Sequence, residues 1–302
     1  MLIYLRLLGT AIFWGGTFIA GRIVSKGMDP YSAAFIRFSI ASLFLLTTIR
    51  IREGYLPPLK KKQIIPIILL GLTGIFAYNV LFFKGLQTVH AGRAALIIAL
   101  NPIFISIGAT LFFKEKLSPF KGIGIILSFV GAGVAITYGD LGNIIHMPMS
   151  GGELFIFGCV ISWACYSLIG KSVMTGLSPL VSVGYSSAVG ALLLLVPAAW
   201  NGVFQKMAAI STLEWGSLFY LGFFGTVLGF FWYYDGINRI GPMKASVFIN
   251  FVPVSAIILA YFILDEPVTW SLIAGAMLVI SGVLITNFSE QIWHRLRRKL
   301  RG

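Results

Sequence analysis

Long apolar segments alternate with short polar connections along almost the whole chain. Each apolar segment is close to the twenty or so residues that a helix needs to cross a hydrocarbon core about 30 Å thick. Several begin with proline, which suits the first position of a helix because its missing N–H costs nothing there. We therefore predict an all-α integral membrane protein with ten transmembrane helices. The predicted spans are Tyr4–Val24, Pro30–Ile49, Ile64–Phe83, Ala91–Phe113, Pro119–Tyr138, Glu153–Gly170, Pro179–Ala198, Leu213–Tyr234, Pro242–Leu264 and Pro267–Thr286.

Composition supports the membrane assignment, and charge predicts the orientation. Of the 302 residues, 58% are hydrophobic and 11% are charged, whereas soluble domains carry about 25% charged residues. Seventeen lysines and arginines fall on the side of the N-terminus and five on the other side, and an excess of these residues marks cytoplasmic loops. Both termini are therefore predicted to be cytoplasmic, in a protein of the cell (inner) membrane. We expect the basic tail to contact lipid headgroups and, despite the net charge of +13, we expect no nucleic-acid partner.

The two halves of the sequence resemble each other at offsets of 149 and 151 residues. The matching pairs include Trp14 and Trp163, Pro102 and Pro253, and Glu115 and Glu266. Each half holds five predicted helices, and because five is odd the second half must start from the opposite face of the membrane. Two inverted repeats around a central cavity are the architecture of secondary transporters, whose site lies near the midplane. The predicted units are a first repeat at 1–139, an extracytoplasmic linker at 140–151, a second repeat at 152–288 and a cytoplasmic tail at 289–302.

Three stretches of sequence carry a family resemblance. The segments "ALNPIFISIGATLFFKEKLSPFKGIGIILSFVGAGV" and "VPVSAIILAYFILDEPVTWSLIAGAMLVISGV" share the spacing from proline to glutamate. With "FWGGTFIAGRIVSKGMDPYSAAFIRF" near the start, the chain resembles the EamA-type transporters of the drug/metabolite transporter superfamily over essentially its whole length. The resemblance implies ten helices and the export or exchange of small metabolites. Relatives handle amino acids, nucleobase-like compounds or sugar phosphates, so the resemblance leaves the substrate open.

Polar and aromatic residues within the spans are the candidate substrate-binding residues, because an unpaired polar group in lipid is costly. Arg37 lies within the second span, where it either snorkels, forms a structural ion pair or binds an anionic group of the substrate. Trp14 and Trp163 occupy equivalent mid-span positions and either pack between helices or line a cavity. The same two alternatives hold for Tyr78, Asn79, Tyr166 and Tyr233.

Two prolines lie deep inside spans, and each has an asparagine close by. Asn101 precedes Pro102, and Asn250 lies three residues before Pro253. A proline leaves the carbonyl four residues earlier without its donor. Each asparagine therefore either satisfies a carbonyl at the kink or contacts the substrate, and we predict that both prolines act as hinges.

Titratable groups are missing from the centre of the predicted spans. No Asp, Glu or His lies at mid-depth, where an embedded carboxylate would serve as a proton relay, so we expect facilitated diffusion or exchange rather than proton-driven transport. Glu115 and Glu266 fall near opposite faces and are interpreted as gate or helix-end residues. The three histidines fall outside the spans without metal-ligand spacing. We therefore expect no cofactor, no metal site and no enzymatic activity.

These features together predict a secondary transporter, an exporter or exchanger, that moves small polar metabolites by alternating access between the two repeats. Amino acids or related zwitterionic or anionic compounds are the first expectation for the substrate. One alternative is a sugar-phosphate or nucleotide-sugar exchanger, which needs several cations converging on a phosphate, and another is a non-transporting membrane receptor. We expect a monomer whose partners are its small-molecule substrate and membrane lipids.

Overall fold

The computed structural model describes residues 2–113, 119–137, 139, 150–174, 176–240, 245 and 247–299. These residues are helical almost throughout, and no β-strand occurs among them. We label the long helices α1 to α10 and give the bounds of their regular segments. They are α1 (Leu2–Gly27), α2 (Pro30–Glu53), α3 (Lys61–Leu70, Gly71–Ala77 and Tyr78–Leu86), α4 (Ala91–Ile98 and Asn101–Phe113), α5 (Pro119–Ile136), α6 (Gly151–Val173), α7 (Pro179–Trp200), α8 (Thr212–Tyr220, Leu221–Leu228 and Gly229–Ile240), α9 (Val247–Asn250 and Phe251–Leu264) and α10 (Trp270–Lys299).

Seven of these helices, α1 to α4 and α6 to α8, are long and apolar enough to cross a membrane. The other three contain shorter apolar stretches, at Gly122–Ala135, Phe251–Leu264 and Trp270–Gly282. The prediction of an all-α membrane protein agrees with this architecture. The prediction of ten membrane crossings stays a prediction.

Side-chain caps begin two of the helices at positions that proline marks. Asp29 accepts hydrogen bonds from the backbone N–H groups two and three residues later, at 3.1 and 3.0 Å, with Pro30 as the first residue of α2. Ser178 caps α7 ahead of Pro179 in the same way. An N-cap oxygen satisfies a backbone donor that the helix itself leaves free, so these two helices begin where the sequence predicts.

The start of α10 differs from the prediction, which placed Pro267 at its first position. The helix begins instead at Trp270, because the Thr269 hydroxyl accepts the backbone N–H of Leu272 at 3.2 Å and so acts as the cap. Asp265 ends α9 in the left-handed conformation, with φ of 53°. The N–H of Glu266 then donates to the carbonyl oxygen of Ala260, six residues earlier, at 3.2 Å. Hydrogen bonds thus hold the connection between α9 and α10 at both of its ends.

Irregular segments interrupt four helices in two matching pairs. In α3 and α8 the backbone is π-helical over Gly71–Ala77 and Leu221–Leu228, 150 residues apart. Helix α4 is broken between Ile98 and Asn101, and α9 begins as a 3₁₀-helix before it becomes α-helical at Phe251. Segments of π-helix are rare and often occur at functional sites.

The breaks in α4 and α9 coincide with the two predicted hinge prolines. Pro102 is the second residue of Asn101–Phe113, and Pro253 is the third residue of Phe251–Leu264. Both therefore lie in the first turn of a new helical segment, where proline is tolerated. Each proline therefore lies directly after a break in its helix, and the hinge role stays a prediction.

Helix packing follows a regular scheme. Helix α2 packs on α7, α5 on α10, and α4 on α9. Helix α1 packs on α8 and α9, as α6 packs on α3 and α4, and the π-helical segments of α3 and α8 pack on α7 and α2 respectively. Each of these contacts is kept when every helix is exchanged for the one five places along the chain.

Glycines allow the closest of these contacts, between α5 and α10. A Cβ added at Gly131 would lie 2.7 Å from the backbone nitrogen of Val279 and 2.8 Å from the carbonyl oxygen of Gly275. A Cβ added at Gly275 would likewise lie 2.7 Å from the carbonyl oxygen of Gly131. Small residues at such crossings let helix backbones approach closely in a bilayer.

Candidate functional site

A central cavity lies where α1, α2, α3, α4, α6, α8 and α9 meet, so both halves of the chain contribute to it. The centre of a water molecule can occupy about 40 Å³ of it, which is room for about three waters. A larger molecule therefore requires the surrounding helices to move apart. The lining residues are Trp14, Thr17, Phe18, Arg37, Tyr78, Phe82, Ile98, Asn101, Trp163, Phe230, Ile249 and Val252.

Arg37 carries the one charged side chain among the described residues that line this cavity. It is only 3% exposed, so it does not snorkel to the membrane surface. Its Nη1 donates to Asn79 Oδ1 at 2.9 Å, and its Nε donates to Thr226 Oγ1 at 3.2 Å. In the described part of the chain no carboxylate pairs with it. A buried cation is costly unless an anion compensates it, and the described residues supply no such anion to Arg37.

The two partners of Arg37 are anchored in the π-helical segments of α3 and α8. Asn79 Nδ2 donates to the carbonyl oxygens of Gly74 and Ile75, at 3.2 and 2.8 Å. Thr226 Oγ1 donates to the carbonyl oxygen five residues earlier at 3.0 Å. These groups satisfy carbonyls that the irregular helices expose, and they leave Asn79 Oδ1 and Thr226 Oγ1 as acceptors for the guanidinium. Arg37 is thus held by one group from each half of the chain.

Aromatic rings form a large part of the cavity wall. The matching residues Trp14 and Trp163 meet edge to face, with ring centroids 5.5 Å apart and an interplanar angle of 86°. Phe230 packs against both, at 5.9 and 5.1 Å. Trp14 Nε1 donates to the carbonyl oxygen of Gly225 in the π-helical segment of α8, at 2.9 Å. Packing and cavity lining, the two alternatives for these tryptophans, are therefore both realised in the same side chains.

Two buried polar atoms on the cavity wall have no hydrogen-bond partner within the described structure. Asn101 Oδ1 is an acceptor and Trp163 Nε1 is a donor, and their residues are 2% and 4% exposed. Leaving such a group unpaired costs about 1–3 kcal/mol. This unpaired acceptor does not decide between kink repair and substrate contact for Asn101, since a carbonyl at the kink would be satisfied by the amide nitrogen, and both alternatives stay predictions.

The prolines after the two breaks border the same cavity through the residues four places before them. Pro102 and Pro253 have no N–H to donate to the carbonyls of Ile98 and Ile249. Both isoleucines line the cavity, 151 residues apart. Each predicted hinge thus lies within one helical turn of a residue that lines the cavity.

Several predicted site residues do not line the cavity. Tyr166 is fully buried, with its hydroxyl 3.3 Å from Ser186 Oγ, and it packs on Trp163 with centroids 5.3 Å apart. Tyr233 packs behind Trp14 at 5.1 Å. These two tyrosines support the aromatic wall from outside, as Asn79 supports Arg37.

Three further predicted residues lie partly or wholly outside the described structure. Asn250 ends the 3₁₀ segment of α9, but its side chain is outside the described part of the chain, as is that of Pro102. Glu115 lies outside the described residues altogether. Their predicted roles stay predictions.

Glu266 lies far from the cavity, at the end of the bundle where α4 begins. It is 9% exposed and accepts the backbone N–H groups of Ala91 and Gly92 at 3.0 and 3.4 Å. His90 Nδ1 lies 3.4 Å from its Oε1. An anion at a helix N-terminus is stabilising, so Glu266 serves as a helix-end residue for α4 across the interface with α9, and its gate role stays a prediction.

Ion pairs join helices at both ends of the bundle. Where α4 and α6 begin, Arg93 Nη1 lies 3.0 Å from Glu153 Oε1, and the same arginine donates to the carbonyl oxygen of Ala135 in α5. At the other end, Arg6 in α1 lies 3.2 Å from Asp235 in α8. The described carboxylates in these pairs are thereby engaged away from Arg37.

Sequence reasoning missed several residues of the cavity. Thr17, Phe18, Phe82, Ile98, Phe230, Ile249 and Val252 line it, and Thr226 holds Arg37. Most are ordinary apolar residues of a membrane helix, and nothing in the sequence distinguishes them from residues that face lipid. Thr226 has one signal, as a hydroxyl within an apolar span beside Gly225.

Apolar helices from both halves of the chain that enclose a cavity with polar groups are typical of a multi-pass membrane protein. The chain matches the EamA-like transporter family over residues 1–137 and 150–288, and it belongs to that family. It is 34% identical over 285 residues to the uncharacterized transporter YyaM of Bacillus subtilis (strain 168), covering 94% of this chain and 93% of that protein. An uncharacterized transporter of Archaeoglobus fulgidus is 27% identical over 91% of this chain and 95% of its own.

The fold has a counterpart among solved structures. A crystal structure resembles this chain with a TM-score of 0.66, covering 95% of this chain and 98% of its own at 17% sequence identity. At that identity the likeness concerns the fold alone.

Proposed function

We propose that this chain is a secondary transporter that exports or exchanges small metabolites bearing a carboxylate, with amino acids as the first candidates, through the cavity around Arg37. The observation that carries the proposal is a buried guanidinium with two neutral partners and no described carboxylate. A substrate carboxylate supplies the missing charge. The nearby donor Trp163 Nε1 suits a second oxygen of the same group, and the acceptor Asn101 Oδ1 suits an ammonium or hydroxyl.

The packing scheme supports alternating access between two inverted five-helix repeats. Contacts that persist when each helix is exchanged for the one five places along, together with matching π-helical segments and helix breaks, are the pattern that a pseudo-two-fold axis produces. Rocking of one repeat against the other opens a midplane site to each side in turn. The small cavity and the ion pairs at both ends fit a closed arrangement between two open ones.

The second candidate, a sugar-phosphate or nucleotide-sugar exchanger, has less support. A phosphate group usually takes several converging cations, whereas Arg37 is the one charged residue on the described cavity wall. We also propose transport by exchange or facilitated diffusion, without catalysis, in a monomer whose two termini are cytoplasmic in the inner membrane.

Counterflow in proteoliposomes tests the function directly. Vesicles are loaded with a mixture of unlabelled amino acids, carboxylic acids and sugar phosphates and diluted into a solution of the same compounds with isotope labels. Mass spectrometry then measures which labelled compounds enter the vesicles. We expect amino acids or related carboxylates to exchange without an imposed ion gradient. Exchange of sugar phosphates alone would favour the second candidate, and binding without flux would favour a receptor. Accumulation that requires an imposed proton gradient would contradict exchange or facilitated diffusion.

We expect the substitution Asn101→Leu to raise the stability of the protein and to lower its transport rate. Removing the unpaired buried acceptor relieves about 1–3 kcal/mol, which raises Tm by a few degrees. Loss of one substrate contact lowers counterflow about tenfold. Asn201→Leu, at the end of α7, is the matched control. Native transport rates together with a raised Tm would mean that Asn101 does not contact the substrate.

A further inference from the structure

Two grooves lie on the surface of the bundle, apart from the central cavity. The α3–α6 groove runs between the first turns of α3 and the last turns of α6, and the α1–α8 groove runs among α1, α8 and α9. The centre of a water molecule can occupy about 380 Å³ of the first and about 640 Å³ of the second. Both are much larger than the central cavity, and both lie on membrane-spanning helices.

The two grooves match each other at the offsets that relate the two halves of the chain. In the α3–α6 groove, Lys62, Pro66 and Leu69 correspond to Leu213, Ser217 and Tyr220 of the α1–α8 groove, 151 residues later. The lining residues thus correspond in position, but their chemistry differs. Lysine stands at the mouth of one groove and leucine at the mouth of the other.

The α3–α6 groove joins a basic mouth to an apolar floor. Lys62 lies in the first turn of α3, with Lys60 and Lys61 beside it in the sequence. Leu69 follows seven residues later, about 10 Å along the helix axis, and Ile169 faces the same groove from α6. This is the order of groups in a phospholipid, with a charged headgroup followed by an acyl chain.

The walls of the groove also come from different halves of the chain. Gln63 Nε2 in α3 donates to the carbonyl oxygen of Gly176, which follows α6, at 3.1 Å. A molecule seated in the groove would therefore contact both halves at once. In the proposed orientation this mouth faces the cytoplasm, where the membrane leaflet carries anionic lipids that attract juxtamembrane lysines.

We propose that the α3–α6 groove is a binding site for an anionic phospholipid, with the phosphate at Lys62 and an acyl chain along Leu69 and Ile169. Charge complementarity selects the headgroup, and the apolar floor requires a chain. The α1–α8 groove, which has Leu213 in place of the lysine, provides an internal contrast without that charge.

Native mass spectrometry of the full chain in detergent tests this site. Phosphatidylglycerol, phosphatidylcholine of the same chain length and soluble glycerol phosphate are titrated separately. We expect the first bound phosphatidylglycerol to be held about fivefold more weakly by Lys62→Gln, from the contribution of one lysine to anionic-lipid binding. Lys206→Gln, near the start of α8, is the matched control and should bind phosphatidylglycerol as the native chain does.

Each of the other outcomes overturns the proposal. Equal binding of phosphatidylcholine would mean that charge does not select the ligand, and equal binding of glycerol phosphate would mean a site for soluble anions. Unchanged affinity in Lys62→Gln would remove Lys62 from the site. The measurement needs no transport activity, so it stands whatever the fate of the proposed function.

Discussion

The Arg37→Gln substitution should lower counterflow of carboxylate substrates about a hundredfold while leaving the protein folded. Hydrogen bonds to a charged group contribute about 1.5–3 kcal/mol, and about 1.4 kcal/mol corresponds to a factor of ten. The protein should survive the change because the substitution removes a buried charge that has no described anionic partner. Glutamine can still donate to Asn79 or Thr226. Initial rates in proteoliposomes of matched protein content measure the effect.

Selectivity separates a substrate role from a structural one. The counterflow rate for amides of the same substrates should fall less than tenfold in Arg37→Gln, because these amides have no carboxylate charge for the guanidinium to compensate. Arg50→Gln, an exposed change on the same helix, should transport like the native chain. An equal loss for carboxylates and amides, accompanied by reduced yield and Tm, would make Arg37 a structural residue.

The sequence predicted the helices well because their signals are strong and local. Long apolar runs and prolines at helix starts are sufficient for α2 and α7, where Asp29 and Ser178 also cap the helices. The prediction that α10 begins at Pro267 was wrong because proline also occurs in connections between helices. The hydroxyl of Thr269 caps α10 and sets where it begins. The start of α10 therefore depends on one hydrogen bond, which the amino-acid composition does not reveal.

The cavity was predictable only where a residue was unusual for a membrane helix. Arg37, Asn101 and the paired tryptophans stand out in apolar spans, and the structure brings them to one cavity. The π-helical segments were not predictable, since their sequences are as apolar as their surroundings. They nevertheless direct Asn79 and Thr226 toward Arg37, so the support of the site depends on backbone geometry that periodicity does not report.

Asn79→Asp provides the second large effect, because it cancels the charge of Arg37 without removing it. Asn79 Oδ1 lies 2.9 Å from Arg37 Nη1, so a carboxylate there forms a buried ion pair with little movement. We expect carboxylate transport to fall about a hundredfold, since opposite charges at this distance interact strongly away from water. Transport of the corresponding amides should fall much less, and the ratio of the two rates is the measurement.

The same substitution also distinguishes recognition of charge from recognition of shape. Aspartate keeps the oxygen that accepts from Arg37 but loses the amide that donates to the carbonyls of Gly74 and Ile75, which should lower Tm by a few degrees. Asn201→Asp adds the same charge at the end of α7 and should leave transport unchanged. If Asn79→Asp kept the native preference for carboxylates over amides, the uncompensated charge of Arg37 would not be what recognises the substrate. A lost preference with the guanidinium still present would mean that the charge of Arg37, rather than its hydrogen-bonding shape, selects what the cavity accepts.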